Sequence, residues 1–167
     1  QAKLRAVIFN FVSQLGIRYR RSPIVLDAAE QAPAVFRQAM PPGNLLPDFA
    51  LAGADGPLYL HDVLTGTGYV LIWYQPPDAD LLLRTIDTRL AFLADVLTHA
   101  VITQNAFDAR GDVRVLQDRK GDAVRFLGGR QPALFLIRPD GHVAVRVWGQ
   151  DTKTICKYFE RVHGIVP

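Results

Sequence analysis

The segment from Pro132 to Arg146 constrains this chain more than any other. Ala133-Leu134-Phe135-Leu136-Ile137 is a proline-led apolar run, and Val143-Ala144-Val145 follows it after Arg138-Pro139-Asp140-Gly141. Proline at the second turn position and glycine at the fourth suit a type I turn. The segment therefore predicts two antiparallel strands joined by a tight turn. Tyr69-Val70-Leu71-Ile72-Trp73 is a second continuous apolar run, as a strand covered on both faces requires.

Other elements follow from spacing. Leu4, Val7, Ile8, Phe11, Val12 and Leu15 form one apolar stripe of a helix over residues 3–15, with Gly16 as its stop. Such a stripe must bury against something, either the rest of this domain or a neighbouring one upstream. Residues 17–47 are proline-rich and poorly periodic, which reads as a connecting arm laid over a surface. Phe49–Leu51 and Leu58–Leu60 flank Asp55-Gly56 and predict a short hairpin. One helical turn is expected at His61–Leu64. After Pro76-Pro77-Asp78, a helix using Leu82, Ile86, Leu90, Leu93 and Leu97 is expected, capped by Asp78 or Asp80. Strands are expected at 101–103 and 113–116, a short helix at 119–127, and a final helix capped by Asp151 or Thr152 with Ile155, Tyr158, Phe159 and Val162 on one face. A buried strand followed by a crossover helix implies a parallel pair, and the terminal hairpin makes the sheet mixed.

The 167 residues allow one domain with a core, or one domain and an appendage. Apolar residues make up 49% and charged residues 21%, a globular composition. A net charge of +3 does not argue for nucleic acid without a clustered patch. No apolar run reaches the ~18 residues of a membrane span. The chain opens at Gln1 and its only methionine is Met40, so a processed chain or a piece of a longer one is expected. The single cysteine, Cys156, excludes an internal disulfide and fits a reducing cytoplasm.

The order of elements resembles the thioredoxin superfamily: an α/β fold, with a mixed sheet flanked by helices and here an N-terminal helical arm. The resemblance implies a redox motif after the central strand and a cis-proline facing it. Pro132 matches the proline position. The motif position reads Gln75-Pro76-Pro77-Asp78 and holds no thiol. Pro42-Gly43 to Leu51 looks like the opening of a peroxiredoxin, again without its cysteine. Thiol exchange and peroxide reduction need a thiolate.

A resemblance covering nearly the whole chain is to the C-terminal part of class A flavoprotein monooxygenases, the aromatic hydroxylases related to phenol hydroxylase and 3-(3-hydroxyphenyl)propionate hydroxylase. Leu15-Gly16-Ile17-Arg18-Tyr19 with Ser22-Pro23-Ile24-Val25, Pro42-Gly43 to Asp48 with Leu60-His61-Asp62-Val63-Leu64, and Ala133 to Arg146 carry it in order. It implies residues 1–44 as the end of an upstream catalytic region and 45–167 as a thioredoxin-like domain lacking Cys-x-x-C. That domain would be structural or dimerising. No catalytic, cofactor or metal residue would lie in this chain. FAD and NAD(P)H would belong to the full-length protein, whose upstream body would bind the flavin and the aromatic substrate. Partners would then be that body and a second copy, with no nucleic acid and no membrane. The alternative is a free-standing thioredoxin- or peroxiredoxin-like protein that lost its redox cysteines or uses Cys156. Gly66-Thr67-Gly68 precedes a strand and so fails as a phosphate loop.

The remaining candidates have plain readings. Cys156 sits beside an apolar stripe and reads as structural. His61, His99, His142 and His163 lack metal-ligand spacing. Arg18, Arg20 and Arg21 around Tyr19 read as solvated or interdomain surface. Asp108, Asp112, Asp118, Asp122 and Asp140 read as loop and capping residues. Arg138 and Arg146 read as ion-pair partners of a catalytic body or as exposed strand residues. Trp73 reads as core. Val7, Phe11 and Trp148 are the interface candidates.

Overall fold

A computed structural model of the chain describes Tyr19 and residues 22–74, 88–104, 113–128 and 131–167. The helix expected over 3–15, with Val7 and Phe11, lies outside the described residues.

Among the described residues, eight strands form one mixed sheet. In chain order they are β1 (Leu26–Ala28), β2 (Ala50–Gly53), β3 (Gly56–Tyr59), β4 (Tyr69–Tyr74), β5 (Leu97–Thr103), β6 (Arg114–Gln117), β7 (Ala133–Ile137) and β8 (Val143–Trp148). Their order across the sheet is β1-β8-β7-β4-β5-β6-β2-β3. The expected parallel pair is β4 with β5, and the expected antiparallel hairpin is β7 with β8. The Gly141 N–H donates to the Arg138 carbonyl at 2.9 Å and closes the turn between them. β2 and β3 form the predicted hairpin, and Leu60–Val63 is a single 3-10 turn.

Central strands alternate between two cores. Ile72, Tyr74, Phe135 and Ile137 face one side, with Phe36, Leu60 and Leu127 over them. Leu71, Trp73, Leu134 and Leu136 face the other, under Ile155, Tyr158 and Phe159. Every residue of β7 is buried on one face or the other, which is why its sequence has no polar side. Each fully buried large side chain stabilises by about 1.5–3 kcal/mol.

Helices cover both faces. α1 is the short Ala34–Arg37, α2 is Asp122–Leu127 and α3 is Thr152–His163. The Asp118 carboxylate accepts the N–H groups of Asp122 (3.0 Å) and Ala123 (2.9 Å), so it starts α2 from outside the helix. Asp151 accepts the Lys153 N–H at 3.1 Å, and Gly164 at φ 66° ends α3.

Two expectations change. Leu97 opens β5 and does not end a helix; a 3-10 turn at Ala91–Leu93 precedes it. Leu90, Leu93 and Leu97 are buried as the stripe required, but Leu97 to His99 pair in register with Tyr69 to Leu71. Strand pairing across the sheet overrides the local period. The segment expected to lie over a surface is also built in. Leu26–Ala28 pairs in parallel with Val145–Val147, and Phe36 is fully buried. Gly43 N–H donates to the Val143 carbonyl at 2.7 Å, Val143 N–H to Asn44 at 2.9 Å and Leu46 N–H to Gly141 at 3.0 Å. Leu45 and His142 form a bridge beside β8.

Candidate functional site

The place where a thiol motif would act is the C-terminal end of β4. Tyr74 is the last described residue there, fully buried and paired with Ala133, which in turn pairs with Trp148. Gln75, Pro76, Pro77 and Asp78 follow Tyr74 in sequence and lie outside the described residues. Pro132 sits immediately before β7, as expected. Among the described residues, however, no peptide bond is cis, so the cis bond expected at Gln131–Pro132 is not found. Trans is the lower-energy isomer, and the Pro132 carbonyl in this arrangement accepts the Gly149 N–H at 2.9 Å.

No thiol of this chain belongs to that end of the sheet. Cys156, the only cysteine, packs on α3 against the core of the opposite face, while Tyr74 and Ala133 belong to the first core. Burial pushes its thiol above the ordinary range, partly offset by a backbone hydrogen bond. That is the reverse of what a nucleophilic thiol needs.

The sequence candidates fall in several places. Trp73 is core, and its Nε1–H donates to His99 Nδ1 at 3.2 Å. His163 meets the Tyr69 hydroxyl at 2.9 Å, and Tyr69 lies 3.4 Å from the Tyr158 hydroxyl, which donates to the Ile24 carbonyl at 3.0 Å. His61 donates from Nε2 to the Leu46 carbonyl at 2.8 Å. It shares a cleft of about 420 Å³ with Asp140 and His142. Among the described residues no group of three His, Cys, Asp or Glu side chains is arranged to hold a metal ion. Trp148 is half-buried, 5.2 Å from the Phe36 ring, and lines a groove with Asp27, Glu30 and Gln31.

Arg146 is the residue that sequence reasoning misplaced. It is 5% exposed, and its guanidinium takes the Asp27 carboxylate through Nε and Nη2, both at 2.8 Å. Nη1 donates to the Ala39 carbonyl at 2.8 Å and, at 3.4 Å, to those of Phe36 and Arg37. The side chain thus closes the C-terminal end of α1. Its signal was the single charge inside the apolar run Val143–Trp148.

The fold is thioredoxin-like, with the eight-stranded mixed sheet and flanking helices described above. Among solved structures, a thiol peroxidase from Chromobacterium violaceum is 20% identical, with a TM-score of 0.59 over 73% of this chain and 87% of its own. Peroxidoxin BcpB from Mycobacterium tuberculosis is 20% identical, with a TM-score of 0.57 over 77% of this chain and 99% of its own. The flavin-dependent monooxygenase PieE, solved with FAD and substrate, is 23% identical, with a TM-score of 0.61. That likeness covers 89% of this chain but 25% of PieE. No family model and no curated protein matches the chain.

Proposed function

We propose that this chain is a non-catalytic structural domain, the C-terminal part of an FAD- and NAD(P)H-dependent aromatic hydroxylase. The observation that carries the reading is the extent of the likeness to PieE. Residues 45–167 make up about three quarters of the chain, the share that the thiol peroxidase and the peroxidoxin cover. A match over 89% has to take in part of residues 1–44 as well. The likeness to PieE therefore spans more of this chain than the likenesses to the thiol peroxidase and the peroxidoxin do, which supports the reading of the chain as more than a redox-type domain.

The thiol-free end of β4 and the raised thiol of Cys156 support a scaffold role over redox turnover. The domain acts by burying apolar surface and by holding the segment that leads into it. FAD, NAD(P)H and the aromatic substrate belong to an upstream body, and a cytoplasmic location and a homodimer fit the same reading. No helix among the described residues is long and apolar enough to cross a membrane.

The test is to read the coding sequence upstream of Gln1 and express the whole product. A strand–Gly-x-Gly-x-x-Gly–helix unit and one flavin per chain are expected, with none bound by residues 1–167 alone. Stoichiometric flavin on the 167-residue chain would overturn the assignment. So would peroxide- or dithiol-dependent turnover lost in Cys156→Ser, which favours the thiol-protein alternative.

A further inference from the structure

A cavity of about 250 Å³ lies at the opposite end of β4 from the thiol-motif position, between the start of β4, the turn before β5 and the C-terminal end of α3. Backbone holds its two strands together. The Tyr69 N–H donates to the Val96 carbonyl at 2.8 Å, and a Cβ on Gly68 would lie 2.9 Å from that same oxygen. Tyr69, Phe159 and His163 form an aromatic wall, with ring centroids 5.1, 5.4 and 5.7 Å apart. The Tyr69 hydroxyl meets His163 Nε2 at 2.9 Å, which fixes the imidazole in that wall. Val96 and Ile165 complete the apolar lining.

The electrostatics of this cavity have one sign. Asp95 lines it, is exposed, and among the described residues has no ion-pair partner. α3 ends here at Gly164, whose N–H donates to the Glu160 carbonyl at 3.0 Å. The last carbonyls of a helix carry the partial negative charge of its C-terminus. Aromatic ring faces add a further negative potential. No described Lys or Arg lines the cavity. Arg161, in the same last turn of α3, donates instead to the Val25 carbonyl at 3.2 Å.

We propose that this cavity binds a small organic ammonium ion. Its charge sits between the Asp95 carboxylate, the end of α3 and the aromatic wall, and its hydrocarbon part lies against Val96 and Ile165. An anion would meet Asp95 and a helix C-terminus, both repulsive to it. A bare metal ion would find one carboxylate among apolar walls, too few oxygens to replace its water. The volume limits the ligand to a single ring or a short chain. The site goes beyond the function proposed above and stands or falls separately from it.

The test uses the protein expressed from its whole gene and three compounds of one shape: benzylammonium, the neutral benzyl alcohol and the anionic benzoate. Calorimetry reads affinity, and hydrogen–deuterium exchange at residues 67–69 and 159–165 reads location. Benzylammonium is expected to bind in the millimolar range and to slow exchange in both segments. Benzyl alcohol should bind at least about tenfold more weakly, and benzoate not at all. Asp95→Asn, an exposed change that keeps the fold, should weaken benzylammonium about fivefold. Ile165→Trp, which fills the cavity, should abolish the protection. Equal affinity for benzylammonium and benzyl alcohol, or for wild type and Asp95→Asn, overturns the cation site. So does the absence of benzylammonium binding at about 20 mM. Binding without protection of these segments places the ligand elsewhere in the protein and overturns it too. None of these outcomes depends on whether the gene encodes a flavin-binding body, so the function proposed above is left untouched by each.

Discussion

Asp27 and Arg146 stand opposite each other on adjacent parallel strands, joined by two 2.8 Å bonds although 119 positions apart. The arginine is buried, and the carboxylate side chain is 46% exposed. Removing the partner of a buried charge is costly, and the half-exposed carboxylate moderates the cost. Asp27→Ala is expected to destabilise by about 3 kcal/mol, because the cation stays behind, and Arg146→Met by about 2 kcal/mol. A double-mutant cycle in urea should give a coupling above about 1 kcal/mol. Additive losses would show that the pair is incidental.

Gly128 is expected to tolerate no side chain. Its φ is +91°, and a Cβ would lie 2.6 Å from Phe36 Cδ2 and 2.8 Å from Ala39 Cβ. Gly128→Ala should cost about 2–4 kcal/mol from backbone strain and overpacking together. Gly149 has a similar φ of +80° with open space around it, so Gly149→Ala should cost only about 1 kcal/mol. Thermal unfolding of the two variants separates crowding from strain.

Tyr158 ties α3 to the segment ahead of β1 by donating to the Ile24 carbonyl. Tyr158→Phe should cost about 1–2 kcal/mol, with faster amide exchange confined to residues 22–26. Burial, and then the hydrogen bond with Tyr69, push its hydroxyl well above the ordinary tyrosine range. The folded state therefore holds this proton more tightly than the unfolded state. Its stability contribution is complete below about pH 10 and declines as pH rises past the unfolded value. The alkaline loss should be smaller in Tyr158→Phe.

Cys156 is expected to label slowly with disulfide reagents at pH 8 in the folded chain and quickly in denaturant. Its raised thiol has the same sign: stability falls as pH climbs through the unfolded thiol range. Cys156→Ser should keep the fold, at a cost under about 1.5 kcal/mol. Fast labelling of the native chain would contradict the burial argument.

The strands were legible where the local pattern and the tertiary role agree. β4 and β7 are apolar without a break because both faces are covered, and Pro139 with Gly141 writes its turn into the sequence. The Asp151 cap was legible for the same reason. β1 was not, because three residues carry no period and its pairing is with residues more than a hundred positions on. Arg146 looked exposed because the carboxylate and carbonyls that satisfy it come from that unread segment. The Asp140–His142–Arg138 cluster was hidden differently. Each residue has an ordinary turn role, and nothing local in the sequence brings the Tyr19 ring across the turn to meet the Arg138 and His142 side chains.

The parallel pairing of β1 with β8 has a mechanical meaning. Tension between the polypeptide before Leu26 and the helix after Trp148 draws the two strands past each other lengthwise, so the ladder and the Asp27–Arg146 grip are loaded together in shear. A peeling geometry would release them one at a time. The domain is thus fastened to whatever precedes it by a joint that resists pulling more than its three-residue length suggests.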